Sequence, residues 1–275
     1  MSDRVIINVS NGIADVRFNR PDKRNALDGA EFSAIAEAGE ELKSRNDVRA
    51  VVLSGEGASF CAGLDFSSFD SMASGNGTGG GGGGNREGNP SAIADGRITH
   101  LGQQCAWVWQ EVPVPVIAAV HGHALGGGIQ IALGADIRVV HPDTQMSVRE
   151  VYWGLVPDMT GTLTLVGLVR ADVAKELVFT ARVFDGREAF QLGLATKLSD
   201  NPHEDATAIA TQIAASSPDA IRGAKRLMNG LLNQGAAEQF AAERSIIGSL
   251  IGSPNQVETV MANMQKRPAT YVDPA

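Results

Sequence analysis

The chain has 275 residues, a formal net charge of −8, 43% hydrophobic and 20% charged residues. These are values of a globular chain, so wholesale disorder is excluded, and the acidic balance argues against nucleic acid, whose phosphates call for clustered Lys and Arg. Two cysteines, Cys61 and Cys105, cannot build a disulfide framework and lack the spacing of a zinc site.

Val5–Val9 and Ile13–Phe18 alternate apolar and polar residues around Asn11-Gly12, which predicts a hairpin with a type I′ turn. Met1–Ser10 already reads as strand, so no signal peptide is expected. Asp28 and Glu31 predict a capping box for a helix to about Lys43. Ala50–Leu53 is a short apolar run stopped by Gly55, read as a buried strand. Val114–Val120, led in by Pro113 and Pro115, is another. A helical stretch is expected between them, from Ile93 to Val112, carrying Trp107 and Trp109. Alternation of strand and helix predicts an α/β core.

Residues 74–89 hold an unbroken row, Gly79–Gly84, among polar residues, and are expected to form a flexible surface loop. Gly75, Gly77 and Gly80 match the dinucleotide pattern G-x-G-x-x-G. No strand feeds that pattern and no apolar helix follows, so it is rejected. Asp185 and Glu188 form a second capping-box candidate. Pro202–Ala215, Asp219–Leu232 and Ala236–Ile251 carry apolar residues at helical spacing, and Ser253-Pro254 opens a last helix to about Lys266. The domain reading is a core over 1–199 and a helical C-terminal part over 200–275. No apolar run reaches the roughly 18 residues of a membrane span, and a cytoplasmic setting is expected.

Two segments could carry chemistry. Ser59-Phe60-Cys61-Ala62-Gly63-Leu64-Asp65 follows the strand ending near Leu53, and its small residues let backbone N–H groups approach a ligand. His121 to Gln130 places Gly126-Gly127-Gly128 at a strand-to-helix turn, where free N–H groups and the helix dipole favour developing negative charge. Two such N–H groups could clamp one carbonyl oxygen as it becomes an oxyanion, and losing one donor costs on the order of 3 kcal/mol. His121 and His123 lack a third ligand nearby, so no metal site is expected.

Phe60–Asp65 and His121–Gly128 resemble the two oxyanion-hole motifs of the crotonase superfamily, the enoyl-CoA hydratase/isomerase family. Asn19-Arg20-Pro21 through Asn25-Ala26-Leu27 resembles its early motif, Ala135–Val139 and Val151–Pro157 its following strands, and Lys266-Arg267-Pro268 with Tyr271 its C-terminal signature. The resemblance implies a ββα spiral core with C-terminal helices that build homotrimers or dimers of trimers. It implies acyl-CoA substrates, with coenzyme A as part of the substrate and no permanent cofactor. By motif position the thioester oxygen would face the N–H groups of Leu64 and Gly127. Backbone near Ala26, Ala62, Gly63 and Asp65 would recognise the adenine end, with Arg24 and Lys266 near phosphates or pantetheine.

Hydratases of the family carry two glutamates. Here the first position is Gln130, and the second is Glu150 in Glu150-Val151-Tyr152-Trp153-Gly154-Leu155-Val156-Pro157. Gln130 can orient a water but cannot take its proton. Moving a double bond needs one well-placed base and the oxyanion hole, a pattern that resembles Δ3,Δ2-enoyl-CoA isomerases of the family. Asp158 adds a second carboxylate at a spacing that resembles dienoyl-CoA isomerases, although those carry Asp where Gln130 stands. Glu150 is therefore the expected acid/base, with Asp158 as helper. Hydration of a 2-enoyl-CoA is the alternative, and a non-catalytic acyl-CoA-binding or assembly protein the second. Trp107, Trp109, Tyr152 and Trp153 are candidates for the pocket floor or for core packing.

Overall fold

The computed structural model describes residues 3–66, 96–232 and 236–269. The glycine-rich segment 74–89 and Tyr271 lie outside the described residues. The hairpin is present: β1 (Val5–Ser10) pairs antiparallel with β2 (Ile13–Phe18). Asn11 (φ 51°) and Gly12 (φ 77°) supply the two left-handed residues of the turn. From β2 onward every pairing is parallel, through β3 (Ala50–Gly55), β4 (Val116–Val120), β6 (Ile137–Val140) and β8 (Lys197–Leu198). The six strands lie in the order β1-β2-β3-β4-β6-β8.

Both faces of this sheet are covered at its centre, which is why β3 and β4 read as apolar runs. Val51, Leu53, Val116, Ala118, Val120 and Val140 turn to one face and join the main core. Ala50, Val52, Ile117, Ala119 and Val139 turn to the other, where Ala206 and Ala210 of helix α7 (Pro202–Ala214) meet them. The main core is closed by α1 (Gly29–Lys43), α2 (Leu101–Glu111) and α3 (Gly127–Gly134).

A second, shorter line of pairing runs beside the sheet. Leu27 bridges Leu64, Cys61 bridges Ala124, β5 (His123–Leu125) pairs with β7 (Gln145–Ser147), and Met146 bridges Phe184. Each turn of chain thus gives one strand to the large sheet and one short pairing to this line before its helix. That is the ββα spiral expected from the sequence resemblance.

Side-chain caps set several boundaries. The Asp28 carboxylate accepts from the Glu31 N–H at 2.9 Å, but the Glu31 carboxylate turns away to Arg4 (3.5 Å), so only half of the expected box forms. Asp185 caps α6 (Gly186–Leu192) in the same way, while Glu188 pairs with Arg182. The helix expected from Ile93 begins only at Leu101: His100 is its extended N-cap and forms a capping box with Gln103. Val151–Pro157, expected as strand, is a correction. Val151–Trp153 forms a 3₁₀ turn closed by left-handed Gly154, with Trp153 and Leu155 N–H both donating to the Glu150 carbonyl. Trp109 is fully buried in the main core, and Trp107 packs edge-on against Phe240 at 4.8 Å.

Helices α4 (Gly161–Leu168), α5 (Ala171–Thr180), α8 (Pro218–Leu232), α9 (Ala236–Leu250) and α10 (Pro254–Gln265) complete the chain. The ammonium of Lys225 anchors α8, bonded to Asp136 (2.7 Å) and to the carbonyls of Trp109 and Val114. No helix among the described residues is long and apolar enough to cross a membrane.

Phe60 is fully buried edge-on against Phe18 at 5.2 Å. Phe60→Ala is expected to lower stability by about 3–5 kcal/mol, and Asp28→Ala by about 1 kcal/mol, read as shifts in the urea unfolding midpoint.

Candidate active site

Two backbone segments are zipped together beside the sheet. Phe60 N–H donates to the His121 carbonyl and Cys61 N–H to the His123 carbonyl, both at 2.9 Å, and Leu125 N–H returns a bond to the Cys61 carbonyl at 3.1 Å. Gly63, at φ 88°, lies so close that a Cβ there would stand 2.6 Å from the Leu125 carbonyl oxygen. A Cβ on Gly128 would meet the Cys61 oxygen at 2.2 Å. Glycine is required at both positions because the backbones touch. Neither the Leu64 nor the Gly127 N–H donates to a backbone carbonyl among the described residues. Gly127 opens α3, next to the Leu27 and Met159 side chains.

The early motif is tied to the same place. Ala62 N–H donates to the Arg24 carbonyl (3.0 Å), Leu27 N–H to Gly63, and Asp65 N–H to Leu27. Arg20 joins the Ala26 carbonyl (2.8 Å) to the carboxylates of Asp65 (2.7 Å) and Asp28 (3.3 Å). Buried Asn25 holds Arg20 N–H, Glu56 O and Ser59 O with one side chain. Arg24, Ala26, Ala62, Gly63 and Asp65 are therefore neighbours, and Arg24 is exposed. Lys266 occupies the left-handed C-cap of α10, and no hydrogen bond joins it to this group among the described residues. His123 bonds the Ser59 hydroxyl and His121 the Gly57 carbonyl, both at 2.9 Å. Among the described residues no cluster of metal-ligating side chains forms.

Gln130 and Glu150 meet directly. The Gln130 amide nitrogen donates to Glu150 Oε1 at 2.5 Å. The amide oxygen accepts from the N–H groups of Met159 and Gly161, both at 2.9 Å. Gln130 is thus engaged at both ends of its amide and keeps one N–H in reserve. Glu150 is 9% exposed, and its Oε2 is buried with no hydrogen-bond partner among the described residues. Burial pushes its carboxyl up to about 7, against the smaller opposing pull of its hydrogen bonds. A Cβ on Gly126 would stand 3.4 Å from Glu150 Oε1, which puts the carboxylate at the triple-glycine turn.

Asp158 is raised to about 7 as well, first by burial and then by the charges of Glu150 and Glu243. Its side chain remains a quarter exposed, and Oδ2 lies 4.0 Å from His100 Nε2. Asp158 is not a helix cap: the N-cap of α4 is Thr160, held at φ 66°. A left-handed β-branched residue is strained by roughly 1–3 kcal/mol and persists only where its surroundings over-determine it.

Glu243 and His100 were not singled out in the sequence. Glu243 is 4% exposed on α9, and its carboxylate accepts from Thr160 N–H (3.2 Å), the Gln103 amide (3.0 Å) and the Thr162 hydroxyl. A signal existed. Ala236, Phe240, Glu243 and Ile247 fall on one helical stripe, and a charge among apolar positions marks a buried carboxylate.

The family model described as enoyl-CoA hydratase/isomerase matches residues 13–273. The chain belongs to the enoyl-CoA hydratase/isomerase family. Members similar to it include the short-chain-enoyl-CoA hydratase of Clostridium acetobutylicum, 30% identical over 269 residues and covering 96% of each chain. The peroxisomal Δ(3,5)-Δ(2,4)-dienoyl-CoA isomerase of Arabidopsis thaliana is also 30% identical, over 94% of this chain and 92% of its own. Among solved structures, a putative enoyl-CoA hydratase/isomerase of Acinetobacter baumannii superposes with a TM-score of 0.83 at 28% identity, covering 96% of this chain and all of the other. Hydratase and isomerase names stand at the same distance, so the reaction must be argued from the residues.

The raised proton affinity of Glu150 has a stability consequence. Between pH 4.5 and about 7 the unfolded chain releases this proton before the folded one does. Stability from this group is full below 4.5, falls as pH rises through that window, and levels off above it. Glu150→Gln keeps an oxygen for Gln130 and cannot ionise. It is expected to be more stable than wild type at pH 8 by on the order of 3 kcal/mol, with the gap closing at pH 4, measured by urea unfolding at both.

Proposed function

We propose that this family member moves the double bond of an enoyl-CoA, with Glu150 as the base. What carries the reading is the state of the Glu150 carboxylate: one oxygen held by Gln130, the other buried and without a hydrogen-bond partner among the described residues. With a glutamine at position 130, the site offers one fixed carboxylate beside the triple-glycine turn, and Gln130 is occupied with two backbone N–H groups. Concerted activation of water by two glutamates is not available to such a pair.

In the proposed step, Glu150 Oε2 removes a proton from C2 of a 3-enoyl-CoA. The electron pair moves into the thioester, and the resulting enolate oxygen is held by the N–H groups of Leu64 and Gly127. A proton is then added at C4, and the double bond stands between C2 and C3. Asp158 shares the neighbourhood of Glu150, whose charge adds to burial in raising the Asp158 carboxyl to about 7, and in this reading the two act as a pair that holds one proton near neutrality. Glu150 is the base of the pair and Asp158 the acid that supplies the proton at C4. The exposed Arg24 and the backbone of Ala26, Ala62, Gly63 and Asp65 suit the nucleotide end of coenzyme A, with Lys266 contributed near a phosphate or the pantetheine. A homotrimer or dimer of trimers built through the C-terminal helices completes this reading.

Hydration of a 2-enoyl-CoA is the second reading. Asp158 favours it, as a carboxylate that could serve water where Gln130 cannot.

The test is trans-3-hexenoyl-CoA in D₂O, followed by mass spectrometry. Conversion to the 2-enoyl ester with deuterium uptake is expected, falling about 10²–10⁴-fold in Glu150→Gln. A product heavier by one water would favour the hydratase. Turnover unchanged in Glu150→Gln would remove that residue from the mechanism. The kcat/KM profile is expected to be bell-shaped about pH 7, because the doubly protonated pair lacks a base and the doubly ionised pair lacks an acid.

A further inference from the structure

The turn that carries Asp158 is gripped from two sides. Gln130 takes the N–H groups of Met159 and Gly161. Glu243, from α9, takes the N–H of the residue between them, Thr160, and the hydroxyl of Thr162. Among the described residues the Glu243 carboxylate accepts from the Thr160 N–H, the Thr162 hydroxyl and the Gln103 amide. Burial raises the proton affinity of Glu243, and the hydrogen bonds to its carboxylate oppose that rise. When ionised, the Glu243 carboxylate places a negative charge beside Asp158, which adds to burial and to Glu150 in raising that residue's proton affinity.

We propose that Glu243 is the positioning residue of the acid–base pair: its carboxylate clamps the 158–162 turn that presents Asp158 and fixes a negative charge next to it. This rests on the reading of Asp158 as the acid of the pair. The groups facing Asp158 are Glu150 from the 3₁₀ turn, Glu243 from α9 and His100 from the N-cap of α2. Those facing Glu243 are Arg244 on its own helix, Gln103 on α2 and Thr162 on α4. His100 Nδ1 accepts the Gln103 N–H at 3.2 Å, so a neutral imidazole carries its proton on Nε2, toward Asp158. Against that donor, Glu150 and Glu243 are the two negative groups that keep the Asp158 proton in place.

The experiment is the pH profile of kcat/KM, and kcat and KM at pH 7, for trans-3-hexenoyl-CoA with wild type, Asp158→Asn, Glu243→Gln and Glu243→Asp. Asp158→Asn should abolish the alkaline limb. Glu243→Gln should move that limb down by about 0.5–1 pH unit, because Asp158 loses a neighbouring charge. It should also lower kcat about tenfold or more with little change in KM, because the turn loses its anchor. Glu243→Asp keeps the charge on a shorter arm, so the limb should stay and kcat alone should fall. An alkaline limb that persists in Asp158→Asn overturns the reading of Asp158 and this proposal with it. A limb lost in Asp158→Asn but unmoved in Glu243→Gln overturns the proposal alone. If Glu243→Gln does not fold, Glu243→Asp decides: full kcat there overturns the clamp, and a lowered kcat with the limb in place supports it.

Discussion

A single primary amide sits where three segments of the chain meet. Gln130 comes from the helix that follows the triple glycine, its nitrogen holds Glu150, and its oxygen holds the turn of Met159 and Gly161. An amide can do this and a carboxylate cannot, because only the amide offers a donor at one end and an acceptor at the other. A glutamate at position 130 would accept from the two backbone N–H groups but would face Glu150 with a second negative charge. An amide at this position therefore does more than remove a charge. It puts a hydrogen bond where two like charges would repel, and fixes the Glu150 carboxylate in one orientation.

The spiral makes that meeting possible. Residues 60–64, 121–130 and 145–150 belong to successive turns, and the short line of pairing beside the main sheet stacks them in register. Close backbone approach at Gly63 and Gly128 brings two strand-to-helix connections within contact of each other. The large sheet supplies rigidity, buried on both faces by the main core and by α7. The site is thus carried at the edge of a well-packed body, and its polar atoms are held mostly by backbone.

What was legible in the sequence was local chemistry. Asn11-Gly12 requires two left-handed residues, Asp28 and Ser253 need only a nearby N–H, and apolar runs bounded by glycine and proline announce buried strands. The motifs around Gly63 and Gly126–Gly128 were equally readable. Where the reading failed, the deciding contact was elsewhere. Val151–Trp153 is apolar enough for a strand, but left-handed Gly154 turns the chain back onto the Glu150 carbonyl. The helix after residue 93 starts late because His100 and Gln103 satisfy each other's backbone. Glu243 stayed hidden because its partners, Gln103 and Thr160, lie 140 and 83 residues away along the chain.

The two cysteines carry a consequence for an enzyme that handles activated acyl groups. Cys61 stands three residues before Leu64, and a thiolate in that position could capture the acyl chain by thiol–thioester exchange. Burial pushes the Cys61 thiol up to about 12 and Cys105 higher than its ordinary value, and both side chains are fully enclosed. At neutral pH the Cys61 thiol stays protonated. The Cys61 sulfur is therefore kept from becoming a nucleophile.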